Sequence, residues 1–307
     1  AILHCDRRGA VIMRPFFKSR ILERPAPKPM IIIVDTTKTG SASNTFVLPI
    51  AINAAETALC DWGDGFITSL VSGNNTHVYA ASGVYTIKIY SKIFFGVYFN
   101  NVGDKAKITQ ILSWGDGLFR NAVTAFQGCT NLTAIAPNIK LLATSAQSMH
   151  QSNTGLLTAP NYSLPRVTNT AYMYASCSSI QTAAAINMSK VTNAANMHQG
   201  NTALTSIPFY DLSAATNVSF MFQVCSSVTT VPLLNLSSVT NATSFLQGVT
   251  LTTASYSDFL VYLATLPLQS TVTFHGGNSK YNAAGGVARA YLISNFGWTI
   301  TDGGAAP

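Results

Sequence analysis

Histidine and aromatic residues recur every 24 positions in the second half of the chain, where they could bind a metal ion or a sugar. The column they form is Phe126, His150, Tyr174, His198, Phe222 and Leu246. Imidazole nitrogens are metal ligands, and aromatic rings suit the apolar faces of sugars. We therefore take His150, His198, Tyr174, Phe222 and the neighbouring Tyr172 as a candidate ligand surface. Packing of the same side chains in the core, or half-exposed, is the alternative, and it is the interpretation that we favour.

The spacing argues against a metal site shared by the two histidines. His150 and His198 are two 24-residue steps apart. If each step adds one coil at the strand spacing of roughly 4.8 Å, their backbones lie about 9.6 Å apart. Two nitrogen ligands of one ion lie within about 4 Å of each other. The chain also has no Gly-x-Ser-x-Gly, His-Glu-x-x-His, phosphate-loop or Cys-x-x-Cys motif. We expect no cofactor and no catalysis.

The elements that position these residues are repeats of 24 residues. One column holds Ala125, Met149, Met173, Met197, Met221 and Phe245, and a second is aliphatic, with Leu132, Leu156, Ile180, Leu204 and Val228. A third column is invariant, with Thr144, Thr168, Thr192, Thr216 and Thr240. A fixed period of this length with aliphatic columns predicts a solenoid whose coils cover one another. The methionine and aliphatic columns are predicted to form its buried ladder.

Cysteine and asparagine alternate in another column of the repeat. Cys129, Cys177 and Cys225 lie two coils apart, beyond the reach of about 7 Å between the Cα atoms of a disulfide, so we predict free, buried thiols. Cys5 and Cys60 are expected to be unpaired as well. Asn153 and Asn201 take the alternate positions, where an amide side chain can hydrogen-bond the backbone of the bend.

The net charge of +7 is concentrated at the N-terminus. Residues 1–28 carry Arg7, Arg8, Arg14, Lys18, Arg20, Arg24 and Lys28 against only Asp6 and Glu23. A basic segment with prolines, ahead of a nearly neutral body, is typical of an arm that anchors the protein to a partner. Nucleic acid is not the expected partner. Between residues 121 and 250 the only charges are Lys140, Arg166, Lys190 and Asp211.

Residues 30–103 contain about seven short β-rich runs separated by turn residues, which predicts a β-sandwich. Within it, Asp61-Trp-Gly-Asp-Gly65 predicts a hairpin. Asp61 and Asp64 could be calcium ligands, but two carboxylates beside glycine are more typical of the turn itself.

The hairpin, together with His77-Val-Tyr79 and Gly83-Val-Tyr-Thr-Ile87, resembles the polycystic-kidney-disease (PKD) type of immunoglobulin-like domain. The resemblance implies a spacer or adhesion module and no catalysis. A second Trp-Gly-Asp-Gly, Trp114 to Gly117, lacks the later motifs, and we interpret it as the first coil of the solenoid.

The repeat itself, seen in Phe220-Met-Phe-Gln-Val-Cys-Ser-Ser-Val-Thr-Thr-Val-Pro232 and Leu236-Ser-Ser-Val-Thr-Asn241, resembles the leucine-rich repeats of BspA-like surface proteins. That family consists mostly of bacterial cell-surface adhesins, with relatives among phage virion proteins. After the repeats, residues 256–265 and 283–294 are predicted helices, and residues 271–275 and 298–301 predicted strands, of a capping unit. The closing segment Phe296 to Gly304 is similar to that of BspA-like and some phage fibre proteins.

The predicted organisation is mainly β: a basic arm (1–29), a PKD-like immunoglobulin-like sandwich (30–103), a leucine-rich-repeat solenoid of 24-residue coils (104–255) and a small α/β cap (256–307). No membrane span is expected, because no apolar stretch approaches the ~18 residues that a membrane helix needs. No export signal is expected, because charges interrupt the N-terminus before an apolar run of ~7 to 15 residues can form.

These features favour a non-enzymatic phage virion surface protein: a capsid decoration, head fibre or tail fibre. The arm would dock on capsid or tail proteins, and the solenoid would attach to a host glycan or protein. A bacterial adhesin, a structural spacer and a polysaccharide-degrading enzyme are the alternatives, and an oligomer is compatible with all of them.

Overall fold

The computed structural model describes residues 27–52, 58–91, 96–116, 119–137 and 139–307. The fold is mainly β, with two α-helices near the C-terminal end. In chain order the elements are β1 (Met30–Asp35), β2 (Thr45–Ala51), β3 (Ala58–Asp61), β4 (Ile67–Leu70), β5 (Gly73–Val78), β6 (Val84–Tyr90), β7 (Gly96–Val97), a 3-10 helix (Gly103–Lys107), β8 (Ile108–Trp114), β9 (Ala134–Ile135), β10 (Ile139–Lys140), β11 (Thr158–Ala159), β12 (Tyr162–Ser163), β13 (Thr182–Ala183), α1 (Thr253–Leu263), β14 (Thr273–His275), α2 (Ala283–Phe296) and β15 (Thr299–Thr301).

Two sheets form the N-terminal part. The larger has the order β4-β3-β6-β1-β8-β9, and the smaller has the order β5-β2-β7. Alternation along β1 sends Met30, Ile32 and Val34 inward, where each is at most 3% exposed. In β6, Ile87 and Ile89 point inward and Thr86 and Lys88 point away from the core. The inward side chains of both sheets belong to one continuous hydrophobic core.

The predicted hairpin after β3 is confirmed, and its carboxylates hold the turn. Asp61 Oδ1 accepts the Gly63 amide at 3.0 Å, and Asp64 Oδ1 accepts the Phe66 amide at 3.2 Å. Asp64 Oδ2 lies 2.7 Å from His77 Nε2. The His77 ring stacks on the buried Trp62 with the ring centroids 4.8 Å apart. The aspartates therefore stabilise the turn by accepting backbone amides, as expected from the sequence.

Strand β8 belongs to two structures at once. It pairs antiparallel with β1 and parallel with β9, which lies 24 residues further along the chain. It is thus the first coil of the repeat, as predicted, and also part of the large sheet. The larger sheet therefore continues past the predicted domain boundary at residue 103, to Trp114 and β9.

A buried ion pair joins the 3-10 helix to the loop between β1 and β2. Lys107 and Asp104 are at most 1% exposed, and Lys107 Nζ lies 3.6 Å from Asp104 Oδ1. Asp104 accepts the amides of Ser41 and Val47, and Lys107 donates to the carbonyls of Ser41, Ala42 and Thr45. Since every charged atom has a hydrogen-bond partner, the pair can be buried where the sheets meet the repeats.

The repeats form a stack of parallel coils, which we call the coil stack (residues 108–252). At one edge, amides donate to carbonyls of the next coil, as in Ala146 to Asn169, Ser148 to Ala171 and His150 to Met173, each at 2.9 Å. At another edge, the threonine column donates to the preceding coil, and the amide of each of Thr168, Thr192, Thr216 and Thr240 lies 2.9 Å from the carbonyl of the threonine before it. These bonds recur in each coil, so identical columns occupy identical environments.

A capping unit continues this hydrogen bonding beyond the last coil. The Leu246 amide donates to the backbone carbonyl of His275 in β14 at 2.9 Å, and β15 pairs parallel with β14. Helix α1 begins earlier than residue 256, because the Thr252 side chain accepts the Ser255 amide and caps it. Helix α2 ends at Gly297, whose φ of +66° favours glycine. The predicted helices and strands of this unit are confirmed within a few residues.

Candidate binding surface

The methionine column is buried, as predicted from its period. Met149, Met173, Met197 and Met221 are all 0% exposed. The aliphatic column beside it, Leu132, Leu156, Ile180, Leu204 and Val228, is at most 1% exposed. The core of the coil stack is therefore the ladder that the sequence predicts.

The histidine and aromatic column is also inside the core, which corrects the predicted ligand surface. His150 and His198 are 0% exposed, Tyr174 is 1% exposed and Phe222 is 0% exposed. From Phe126 to Phe222, successive rings stack with centroids 5.4 to 5.7 Å apart and planes within 22°. In parallel coils these side chains lie directly over one another and exclude solvent. None of the four can contact a ligand in the folded protein.

Each buried histidine has two fixed hydrogen-bond partners. Asn153 Nδ2 donates to His150 Nδ1 at 3.1 Å, so the other ring nitrogen carries the proton and donates to the Tyr162 hydroxyl at 2.6 Å. The same arrangement recurs 48 residues later among His198, Asn201 and Tyr210, at 3.1 and 2.8 Å.

The burial of these rings decides their charge. Burial lowers the pKa of both His150 and His198 to about 3, which keeps the imidazoles neutral. The Tyr174 ring lies between the two imidazoles. The two histidines are therefore not brought together. No cluster of three metal-ligating side chains occurs within the described ranges.

The alternation of cysteine and asparagine follows the same logic. Asn201 Oδ1 accepts the backbone amide of Cys177 in the preceding coil at 3.0 Å, as predicted for this position, whereas Asn153 Oδ1 has no partner among the described residues. The thiols of Cys177 and Cys225 donate to the carbonyls of His150 and His198 at 3.0 and 3.1 Å. Burial raises the pKa of both thiols to about 12.

The cysteines in the described part of the chain are confirmed as free thiols: Cys60, Cys129, Cys177 and Cys225. Each of them is buried. Cys5 lies outside the described residues.

The exposed surface of the coil stack is made of hydrogen-bonded ladders. Glutamines on adjacent coils join side chain to side chain, Gln199 to Gln223 at 2.6 Å and Gln223 to Gln247 at 2.8 Å. In the exposed threonine column, hydroxyls donate to the carbonyl of the preceding coil at 3.2 to 3.3 Å. Since these groups already have partners, this surface offers methyl groups and spare acceptors but few free donors.

Tyr172 is the one residue of the predicted ligand surface that stays accessible. It is 36% exposed, and its hydroxyl has no partner among the described residues. It belongs to a column of left-handed residues, with φ between 52° and 59°, at Thr124, Ser148, Tyr172, Asn196, Phe220 and Ser244. A left-handed backbone costs about 1–2 kcal/mol for most L-residues and less for asparagine. A bulky ring held there at such a cost is a candidate for a binding role.

We expect Tyr172→Asn to stabilise the protein by about 1 kcal/mol, because Asn adopts the left-handed conformation more readily. The same column already holds Asn196 at φ +59°. Thermal unfolding followed by circular dichroism should show a melting temperature higher by roughly 2–4 °C. Tyr172→Phe keeps the ring and the strain, and should melt as the parent does. Equal melting temperatures for the Asn and Phe variants would contradict the strain argument.

The predicted anchoring arm lies mostly outside the described residues, which include none of Arg7, Arg8, Arg14, Lys18, Arg20 and Arg24. Lys28 is described, and its backbone is bonded to the body of the protein while its side chain is exposed. Its amide donates to Asp116 Oδ2 at 2.8 Å, and its carbonyl accepts the Asp116 amide at 3.1 Å. Gly115, with φ +67°, lets the two backbones approach closely. The body of the protein therefore begins no later than Lys28.

One comparison with known proteins bears on the coil stack. Residues 142–259 match a family described as "Mycoplasma protein of unknown function, DUF285". The match covers less than half of the chain. No curated protein and no solved structure matches it.

The matched segment contains both buried His-Asn-Tyr groups, Tyr172 and the start of helix α1. It leaves out the two N-terminal sheets and most of the cap. No described helix is both long and apolar enough to cross a membrane.

Proposed function

We propose that the protein is a non-enzymatic surface protein of a phage virion, a capsid decoration or fibre, whose coil stack is a leucine-rich-repeat solenoid of the BspA-like type. The observation that carries the proposal is the surface of the coil stack: four charges in residues 121–250, with polar side chains paired from coil to coil. Such a surface has little electrostatic attraction for other macromolecules. It suits a stable, extended element held outside a particle.

The architecture supports the two resemblances on which the proposal rests. Parallel bonds between residues 24 apart and a buried aliphatic column fit leucine-rich repeats. The Trp-Gly-Asp-Gly hairpin, with His77 between Trp62 and Tyr79, fits a PKD-like immunoglobulin-like domain. In this proposal the basic residues before position 27 dock the chain on capsid or tail proteins, and the coil stack and cap face the host.

A bacterial cell-surface adhesin is the second candidate. The observation that favours it is the family matched by residues 142–259, which is described as a Mycoplasma protein and therefore bacterial. A structural spacer would share the same coil stack but would bind nothing on a host.

Localisation in the producing culture tests the proposal. We expect purified phage particles to contain this chain in a fixed number of copies per particle, measured by quantitative mass spectrometry. Deletion of residues 1–26 should abolish incorporation and leave the circular dichroism of the body unchanged, because the described fold begins after them. Substitution of the six arginines and lysines before residue 27 by glutamine is the matched control for charge.

Recovery of the protein in the cell envelope of uninfected cells, with none in particles, would reject the virion role and favour the adhesin. Normal incorporation of the truncated chain would reject the arm as the anchor.

A further inference from the structure

We propose that the groove between the last repeat and helix α1 binds a neutral saccharide. The groove has a volume of about 660 Å³ and lies between residues 230–233 of the coil stack and the outer face of α1. The inference rests on the proposed surface function, since it names the ligand class that the host-facing end would recognise.

The walls of the groove are fixed to each other. Ser255 Oγ accepts the Val231 amide at 3.0 Å and lies 3.5 Å from the Val231 carbonyl, to which it donates. The Thr252 amide donates to the backbone carbonyl of Thr229 at 2.9 Å, and the Thr252 side chain caps α1. The helix therefore extends the coil stack, and hydrogen bonds within the protein fix the shape of the groove. A preformed site avoids the free energy of ordering on binding.

Three polar side chains in this groove lack partners, unlike the ladders elsewhere on the coil stack. The Asp258 carboxylate, the Tyr262 hydroxyl and the Thr230 hydroxyl make no hydrogen bond or ion pair with any described residue. Asp258 and Tyr262 are four positions apart on α1, so their side chains share one face of the helix. A carboxylate can accept from two adjacent hydroxyl groups, and Tyr and Thr can both donate and accept.

The rest of the lining is apolar. Leu233 is 46% exposed and Val261 is 41% exposed. Together with the Tyr262 ring they provide a surface for the C–H face of a pyranose. Apolar walls with a few convergent polar groups are typical of small-molecule sites.

The charge of the groove narrows the ligand class. Asp258 is the only charged residue among the lining residues. One carboxylate repels anionic sugars. A basic peptide would favour several acidic groups, and the lining has only one. A neutral, hydroxyl-rich sugar satisfies the carboxylate, the two hydroxyls and the apolar walls together.

The test is titration of the purified full chain with defined neutral oligosaccharides, hexamers of glucose, mannose and N-acetylglucosamine, by saturation-transfer NMR and calorimetry. We expect at least one to bind, with an affinity that changes little between 50 and 500 mM salt. Asp258→Asn should weaken that binding about tenfold or more, because a hydrogen bond to a charged group is lost. Tyr262→Ala should weaken it by a similar factor.

Tyr291→Phe is the matched control. Tyr291 lies on α2, in a neighbouring apolar groove with Val287, and is 44% exposed. We expect it to leave saccharide binding unchanged. Thermal unfolding of Asp258→Asn should match that of the parent, since Asp258 is exposed and has no partner among the described residues.

Three results would overturn the inference: no binding by any of the neutral sugars, binding that survives both Asp258→Asn and Tyr262→Ala, or salt-sensitive binding of hexalysine in place of sugars. A chain that is present in particles but binds no sugar would reject the groove and leave the proposed virion role intact. A chain that binds sugars but is absent from particles would reject the virion role and leave the groove proposal intact.

Discussion

Met197→Asp should lower the free energy of unfolding by about 3–5 kcal/mol, the usual cost of an unpaired charge in a protein core. Met197 is 0% exposed and lies in the column between Met173 and Met221, which are also fully buried. No basic side chain occurs in this column to pair with a carboxylate. The midpoint of urea unfolding, followed by circular dichroism, measures the effect.

Met197→Leu is the control for the methionine result, because it keeps the apolar volume and should cost less than about 1.5 kcal/mol. An aspartate variant as stable as the leucine variant would mean that the column does not pack as a continuous ladder. Urea is the better denaturant here, since it leaves charge interactions unscreened.

The coil stack could be predicted because residues at the same position of each repeat have the same structural environment. Every residue at the position of Met149 or Leu156 meets its counterparts from the coils above and below. Apolar columns therefore identify the core without any contact information. The capping unit was also predictable within a few residues, although the predicted start of α1 at residue 256 missed the Thr252 cap.

The period alone does not show whether the histidine and aromatic column faces the core or the solvent. Histidine and tyrosine are common both in cores and at surfaces, so the column fits either. A second period of 48 residues contains the missing information. Histidine at 150 and 198 occurs with Asn three positions later and Tyr twelve positions later.

In the intervening coils the same three positions change together. They are Tyr174, Cys177 and Ile186 in one coil and Phe222, Cys225 and Leu234 in the other. Side chains that change in step are in contact, and these contacts are buried. The joint change therefore indicates a core, which excludes the predicted ligand surface for all but Tyr172.

The remaining differences from the sequence prediction come from contacts between distant segments. The Lys28 backbone amide donates to Asp116, 88 positions away, and the Ser41 backbone amide donates to Asp104, 63 positions away. Neither pair follows a local pattern or the 24-residue period. The same is true of the saccharide groove, since Thr230 and Asp258 are brought together only by the packing of α1 on the last coil.

Acidification should destabilise the coil stack through its two buried histidines. The pKa of each imidazole falls from 6.5 to about 3 on folding, because burial disfavours the charged ring. Below pH 6.5 the unfolded chain binds protons that the folded chain does not, so stability is full above pH 6.5 and is lost as pH falls toward 3. The loss is about 1.4 kcal/mol per pH unit for each histidine, or roughly 5 kcal/mol for both at pH 4.5.

Urea unfolding at pH 7.5, 6.0 and 4.5 measures this loss, and a variant built from the adjacent coil assigns it to the histidines. His198→Phe, Asn201→Cys and Tyr210→Leu together convert one coil to the side chains of Phe222, Cys225 and Leu234. His198→Phe alone would leave the Tyr210 hydroxyl and the Asn201 amide without their partner. The triple variant should lose about half as much stability as the parent does between pH 7.5 and 4.5 through these groups, because one of two proton-binding differences is gone. Carboxylates titrate alike in both proteins and cancel in the comparison. If the triple variant and the parent lost equal stability between pH 7.5 and 4.5, the buried histidines would not be the source of acid sensitivity.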